Sequence, residues 1–228
     1  MATRLLVCAA TQAEIDTFLR AGEPERVEGE LRFIEGDSIA LSVTGVGIPC
    51  TLLRLPPLLE LLEPGLVLNI GIAGAYPSSG LGIGEVAMAR AECFGDIGFE
   101  LPEEPGFRSI SEAPFGAFYT RLPMTLAEEF RTGLTGHACV EIGACTVNAC
   151  TGTLRTGLMR ERLFEAGMES MEGAAAALAC ERAGVPMCEL RAISNIAADR
   201  DMRPENIRIA LERLRDHLQA CRRRRESS

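Results

Sequence analysis

The stretch SMEGAAAALACERAGVPMCELRAISN, residues 170–195, decides the fold. Its first half reads as a helix over 171–183: four consecutive alanines favour helix, Glu181 and Arg182 mark an exposed end, and Gly184 is a stop. Its second half contains MCELRAIS (187–194), a short apolar-rich run of the kind that forms a buried strand. The same alternation continues outward from it. Further strands are expected at 4–10, 31–36, 39–45, 66–74, 84–93 and 139–147, and further helices at 12–21, 49–62, 125–132, 154–165 and 204–223. Pro204 stands just inside the last helix, where proline marks a start, whereas Pro56-Pro57 predicts a kink or break in the second. The pattern specifies an α/β fold, a twisted mixed β-sheet flanked by helices. With no internal repeat and no low-complexity linker, a single domain over 1–228 is expected, in which 222–228, opening on Arg222–Arg225, forms a solvated, disordered basic tail.

Composition removes several chemistries. All 23 positively charged residues are arginines, so Schiff-base chemistry, lysine-anchored pyridoxal phosphate and a P-loop lysine are excluded. Only His137 and His217 represent histidine, which leaves no His-rich metal site and directs the search for an acid or base to carboxylates. A net charge of −9 argues against a nucleic-acid partner, which would need a basic face. Nine cysteines without a CxxC pair read as core thiols of a reduced, cytoplasmic chain. The apolar run Leu5–Ala10 is too short for a signal peptide, and 48–75 is interrupted by Arg54, Glu60, Glu63 and prolines, so no membrane span is expected.

One region is irregular: residues 94–120 are rich in Gly and Pro, yet hold Phe94, Phe99, Phe107, Phe115, Phe118 and Tyr119. Two readings stand side by side, a loop pinned by its own aromatic rings and a lid or subunit contact that stacks on a flat ligand.

Three polar groups fall at strand–helix junctions, where open α/β sheets place their ligands. Thr11-Gln12-Ala13-Glu14 follows the first strand and, on its own, is a capping box. Ser170-Met171-Glu172-Gly173 opens the alanine-rich helix, where a carboxylate also suits the helix dipole. Arg191-Ala192-Ile193-Ser194-Asn195 leaves the last strand and could be no more than a polar turn. Glycines at Gly45-Val46-Gly47 and Asn69-Ile70-Gly71-Ile72-Ala73-Gly74 complete no dinucleotide fingerprint, but imply close backbone approach.

Taken in order, the carboxylate-bearing turn after the first strand, TGVGIP, NIGIAGAY, SMEGAAAA and RAISNIAAD resemble the nucleoside phosphorylase and nucleosidase superfamily over essentially the whole chain. Within it the sequence is most similar to the futalosine hydrolase family, with methylthioadenosine/S-adenosylhomocysteine nucleosidases as relatives. The resemblance implies a nucleoside phosphorylase-like domain that hydrolyses the N-glycosidic bond of futalosine, releasing hypoxanthine, in menaquinone biosynthesis, without metal or organic cofactor. It implies that Glu172 accepts hydrogen bonds from the ribose hydroxyls while Met171 packs on the sugar, that Glu14 activates the attacking water, and that Arg191 lies near that water. Ala73, Gly74 and Ser194 are expected to line the substrate site. Asn195 stands where adenine-specific relatives carry aspartate; an amide can donate to a 6-oxo group and accept from a protonated N7, which fits hypoxanthine or guanine.

Two departures bear on the reaction. The Gly-x-Pro-x-Arg phosphate loop of the family's phosphorylases is replaced by Ala10-Thr11-Gln12-Ala13-Glu14, which would repel phosphate, and Ile72 replaces a Ser or Thr. Base stacking is assigned to TVNACTGT (146–153), with Asn148 as its candidate contact. The family's habit of building sites near subunit contacts implies a homodimer or higher homo-oligomer, with 94–120 reaching a neighbour. A purine nucleoside phosphorylase and a non-catalytic nucleoside-binding protein are the rival readings.

Overall fold

The computed structural model describes residues 4–116, 122–124, 139–199 and 201–226. In chain order its elements are β1 (Leu5–Ala9), α1 (Gln12–Ile15), β2 (Glu25–Glu28), β3 (Leu31–Ile34), β4 (Ile39–Val43), α2 (Ile48–Leu62), β5 (Leu66–Ala75), β6 (Val86–Glu92), β7 (Gly98–Glu100), β8 (Phe107–Ser109), β9 (Leu122–Pro123), β10 (Val140–Thr146), α3 (Leu154–Phe164), β11 (Met168–Ser170), α4 (Gly173–Ala183), β12 (Met187–Ile196) and α5 (Pro204–Glu226). The main sheet runs β11-β10-β6-β12-β5-β1-β4-β3-β2, with β9 beside β6. It is mixed: β1, β4, β5 and β12 are mutually parallel neighbours, while β6 runs antiparallel to β12. Strands covered on both faces are expected to be apolar throughout. Accordingly β1 (LLVCA) is buried at every position, as is β12 up to Asn195.

Helices cover both faces. On one side Leu55 and Leu59 of α2 and Ala174–Ala177 of α4 pack on Leu6, Val67 and Met187; on the other, Ala210, Leu214 and Leu218 of α5 pack on Val7, Leu68 and Leu190. The alanine run therefore matters for packing as well as helix propensity, since methyl-sized side chains let α4 lie close to α2 and the sheet. A short strand then closes the sheet on itself. β11 pairs parallel with β10 and antiparallel with β5, through Met168↔Ala75 and Glu169↔Gly74, so β5, β12, β6, β10 and β11 form a ring.

The seven expected strands all appear, as do the helices at 49–62, 154–165, 171–183 and 204–223, shifted by a few residues. Gly184 ends α4 with φ 68°, the left-handed conformation its glycine was read for. Other expectations need correction. Helix α1 spans four residues where ten were expected, because the chain passes into tight turns in which Thr17 N–H bonds to Glu14 O and Phe18 N–H to Ile15 O. Helix α2 runs through Pro56 and Pro57 without a break; the carbonyls that lose their donors, those of Leu52 and Leu53, lie on its solvent face. Within the irregular region, β7 and β8 pair as a hairpin, and Phe107 packs against Phe164 with ring centroids 6.3 Å apart. Arg222 is not part of a solvated tail. It lies in α5, 9% exposed, its guanidinium 4.8 Å from the Phe18 ring, paired with Glu23 and donating to the Phe18 carbonyl; the stem is buried along the ring while the head finds its charge partner. The expected helix at 125–132 and His137 lie outside the described residues. Among the described residues no helix is long and apolar enough to cross a membrane.

Candidate active site

A cleft of about 270 Å³ opens at the carboxyl ends of β1, β5 and β12, the side of a parallel sheet on which ligands bind. Three larger hollows, of about 650, 630 and 460 Å³, lie elsewhere on the surface, and every titratable side chain lining them is exposed. The smaller cleft instead brings together buried polar groups, which is the mark of a chemical site. Glu14, Ala73, Gly74, Met171, Glu172, Ser194 and Asn195 all line it.

Glu14 is held by its own helix start. Its Oε2 accepts from the Thr11 backbone N–H at 2.9 Å and the Thr11 hydroxyl at 2.7 Å, so the capping box is real. Its Oε1 accepts from the Ile72 N–H at 3.0 Å. A carboxylate has about four lone-pair sites. Three are used here, and the fourth belongs to Oε1 on the cleft side. Capping and water activation therefore do not compete: the cap aims the carboxylate instead of consuming it.

Glu172 occupies the N-cap position of α4 but makes no side-chain cap. The helix amides it might have satisfied are taken by others: Gly173 N–H by Ser170 Oγ at 3.2 Å and Ala174 N–H by Thr146 Oγ1 at 2.7 Å. Released from that role, Glu172 Oε1 reaches across to accept from Gly47 N–H at 2.9 Å. Burial pushes its carboxyl above the usual range, opposed by Arg191 and by the Gly47 amide.

Arg191 is fully buried beneath the cleft floor, and does not line it. Its Nε donates to Glu189 Oε1 at 2.7 Å, while Nη1 lies 3.6 Å from Glu172 Oε2 and has no hydrogen-bond partner. Burial alone would weaken its charge, but the three carboxylates of Glu189, Glu172 and Glu14 outweigh that and hold it cationic. Gly71 makes this packing possible, since a Cβ on it would collide with both Arg191 Nη1 and Glu14 Oε1. Gly71→Ala is accordingly expected to displace both groups and lower kcat/KM by about 10²-fold, as a displacement near 1 Å does elsewhere. Steady-state kinetics alongside thermal melting would check it, and unchanged turnover would show that the arginine and carboxylate can move without consequence.

Asn195 owes its direction to an irregularity in β12. The register against β5 passes from Ile193↔Ala73 to Asn195↔Gly74, so Ser194 is an extra residue, and such bulges re-aim side chains. Ser194 Oγ lies within hydrogen-bond distance of both Ala73 O, at 3.2 Å, and Asn195 Oδ1, at 3.0 Å, while Asn195 Nδ2 donates to Ile196 O at 3.2 Å. One amide N–H and one carbonyl lone pair remain for a ligand.

Asn148 departs from expectation. Its exposed side chain donates to Asp96 Oδ1 at 3.1 Å and stays out of the cleft, because Asp96 gathers the 148 and 149 amides around its other oxygen. The wall there is made by Val147 and Cys150. It is fixed from behind by Glu169, which accepts from Thr151 N–H at 2.8 Å and Thr151 Oγ1 at 2.5 Å, and by Arg160, which donates to Ala149 O and Thr151 Oγ1. Val46, Glu169 and Met202 also line the cleft without having been singled out. For Glu169 a signal existed: a carboxylate directly before Ser170-Met171-Glu172, in a stretch too short to read as a strand. No residue of the described part of 94–120 lines the cleft.

The family model of the phosphorylase superfamily matches residues 4–223. A futalosine hydrolase of Acidothermus cellulolyticus is 31% identical over 219 residues, which cover 94% of this chain and 88% of that protein. The structure of a futalosine hydrolase of Helicobacter pylori superposes with a TM-score of 0.80 at 18% identity, covering 98% of this chain and 99% of that one. A methylthioadenosine/S-adenosylhomocysteine nucleosidase from the same organism superposes about as well, with a TM-score of 0.79 at 19% identity over 98% and 99%. At these identities both structures speak for the fold alone, and what separates substrates must be sought in the cleft.

Proposed function

We propose that this chain, which belongs to the phosphorylase superfamily, is a nucleosidase that hydrolyses the N-glycosidic bond of futalosine and releases hypoxanthine, as a step of menaquinone biosynthesis. The observation that carries the reading is the carboxylate of Glu14, with one lone pair left toward the cleft at the place where the superfamily's phosphorylases hold phosphate. An anion facing that place repels phosphate and attracts a water proton.

In the reaction the C1′–N bond to the base lengthens first, leaving an oxocarbenium-like sugar. Glu172 accepts hydrogen bonds from the ribose hydroxyls and stabilises the positive charge, with Met171 against the sugar. The water oxygen bonds to C1′ as Glu14 takes its proton. Asn195 donates to O6 of hypoxanthine and accepts from N7–H, so the base departs as the neutral N7-protonated tautomer; its N7 proton comes from solvent, since an amide has none to give. Arg191 offers Nη1 beneath the two carboxylates, a positive charge 3.6 Å from Glu172. No metal or organic cofactor enters. The chain acts as a homodimer or higher homo-oligomer, for which the exposed Leu53 and Leu61 of α2 offer apolar surface, with the 94–120 segment reaching the neighbouring site.

Phosphate dependence tests the reaction type. Futalosine is expected to be cleaved at the same rate with and without phosphate, and in ¹⁸O-water the label should appear on the sugar C1′ hydroxyl. A phosphate requirement with a sugar 1-phosphate as product would make the protein a phosphorylase, and binding of nucleoside without turnover would make it a carrier.

A further inference from the structure

Behind the cleft lie two carboxyl groups that the mechanism does not use, Glu92 and Glu189, both wholly buried. Glu189 is on β12 two residues before Arg191, on the same face of the strand, and its Oε1 takes the Arg191 Nε–H at 2.7 Å. Glu92 ends β6, where its Oε2 accepts from Cys93 N–H at 3.1 Å and Thr146 Oγ1 at 3.0 Å. The remaining oxygens, Glu92 Oε1 and Glu189 Oε2, crowd over the Cα of Gly173 and have no donor among the surrounding groups. Two buried acceptors brought together require a proton between them. It resides on Glu92, whose carboxyl is driven well upward by burial and by the neighbouring Glu189. Glu189 forms the ion pair with Arg191.

We propose that Glu189, braced by the protonated Glu92, is a positioning residue: by occupying the Nε edge of Arg191 it keeps the guanidinium from closing on Glu172, leaving Nη1 aimed at the gap between Glu172 and Glu14. The distances fit this division. The Nε bond to Glu189 is a direct hydrogen bond, whereas Nη1 stops 3.6 Å short of Glu172 and is otherwise unpartnered. The charged and titratable groups facing the pair are Arg191, Glu172 and Glu14 toward the cleft, with Cys8 near Glu189 and Cys145 beside Glu92. Both thiols are pushed upward by burial and stay neutral. The only cation in the group is therefore shared among three carboxylates, and Glu189 sets the share.

Two variants separate this from simple packing. In E189M, which keeps the length of the side chain but offers Nε no acceptor, the guanidinium is expected to swing onto Glu172 into direct hydrogen-bond contact, visible in a crystal structure. With Arg191 closer and one anion gone, Glu172 ionises more readily; the acidic limb of the pH profile of kcat/KM should fall by about one unit, and its plateau by roughly tenfold to a hundredfold. E92Q, whose amide can donate to Glu189 as the protonated carboxyl does, should keep the wild-type limb. An unmoved Arg191 in E189M, an unmoved limb, or an E92Q limb displaced as far as that of E189M would each overturn the proposal. Should E189M fail to fold, E189D keeps a carboxylate but not the reach to Nε; Arg191 is then expected to leave its place, and an Arg191 that stays would count equally against it. The kinetic arm rests on the hydrolase reading. The crystallographic arm does not: a wild-type protein that cleaves no nucleoside would refute that reading while the position of Arg191 in the variants still decided this one.

Discussion

Replacing Glu14 by glutamine is expected to lower kcat for N-glycosidic hydrolysis by roughly 10²–10⁴-fold, the range spanned by loss of a positioned general base. The substitution is isosteric, but an amide presents one acceptor where the carboxylate presents two. The oxygen can continue to serve either Thr11 or Ile72, and the nitrogen is left facing donors on the other side. Losing part of a capping interaction costs about 0.5–2 kcal/mol, so a modest fall in melting temperature should accompany the kinetic loss. The two effects are separable by measuring kcat at a temperature where the variant is fully folded. Normal turnover in a destabilised protein would assign Glu14 to the cap alone.

The second large effect concerns which base is released. Asn195→Asp is expected to reverse the preference between 6-oxo and 6-amino purine nucleosides, with a swing in relative kcat/KM of up to about 10⁴, because a buried polar edge that loses its complement discriminates by that order. Ser194 Oγ lies 3.0 Å from the Asn195 oxygen and tethers that side of the group. In the aspartate variant the position of the amide nitrogen becomes an acceptor, unable to serve O6 but able to take a 6-amino proton. Futalosine and its 6-amino counterpart compared in one assay give the ratio directly. If the ratio stays where it was, the base is read by another residue.

Much of this could be read from the chain before any coordinates. The runs of β1, β5 and β12 are apolar because both faces of the sheet are covered, and such runs are the part of an α/β domain that periodicity finds most easily. Glu14, Glu172 and Asn195, which line one cleft, are each legible as polar residues at the end of an element. What escaped did so for identifiable reasons. Three-residue strands such as β11 carry no measurable period, yet this one closes the ring and delivers Glu169. Asn148 was misdirected because its partner, Asp96, is far away in sequence and adjacent only in space. Arg222 looked like one of four equivalent arginines, and only the position of Phe18 and Glu23 distinguishes it. Glu92 and Glu189 are legible as acidic residues on strands read as buried, a costly placement that implies partners.

The ring formed by β5, β12, β6, β10 and β11 has a bearing on how substrates are sorted by size. An open sheet can change its twist and so spread or narrow a crevice along its edge. A hoop of strands in which every neighbour is hydrogen-bonded to the next has no seam along which to yield. Gly74 and Glu169, paired across the closing contact, thus belong to a part of the cleft wall of fixed circumference. A bulkier or smaller aglycone cannot be met by breathing of that wall and must be rejected or left loose. Tolerance is left to lining residues such as Val46 and Met202, which are exposed and lie outside the strands. Gauge and adaptor are thus different parts of one cleft, and a change in the substrate's tail can be accommodated without retuning its head.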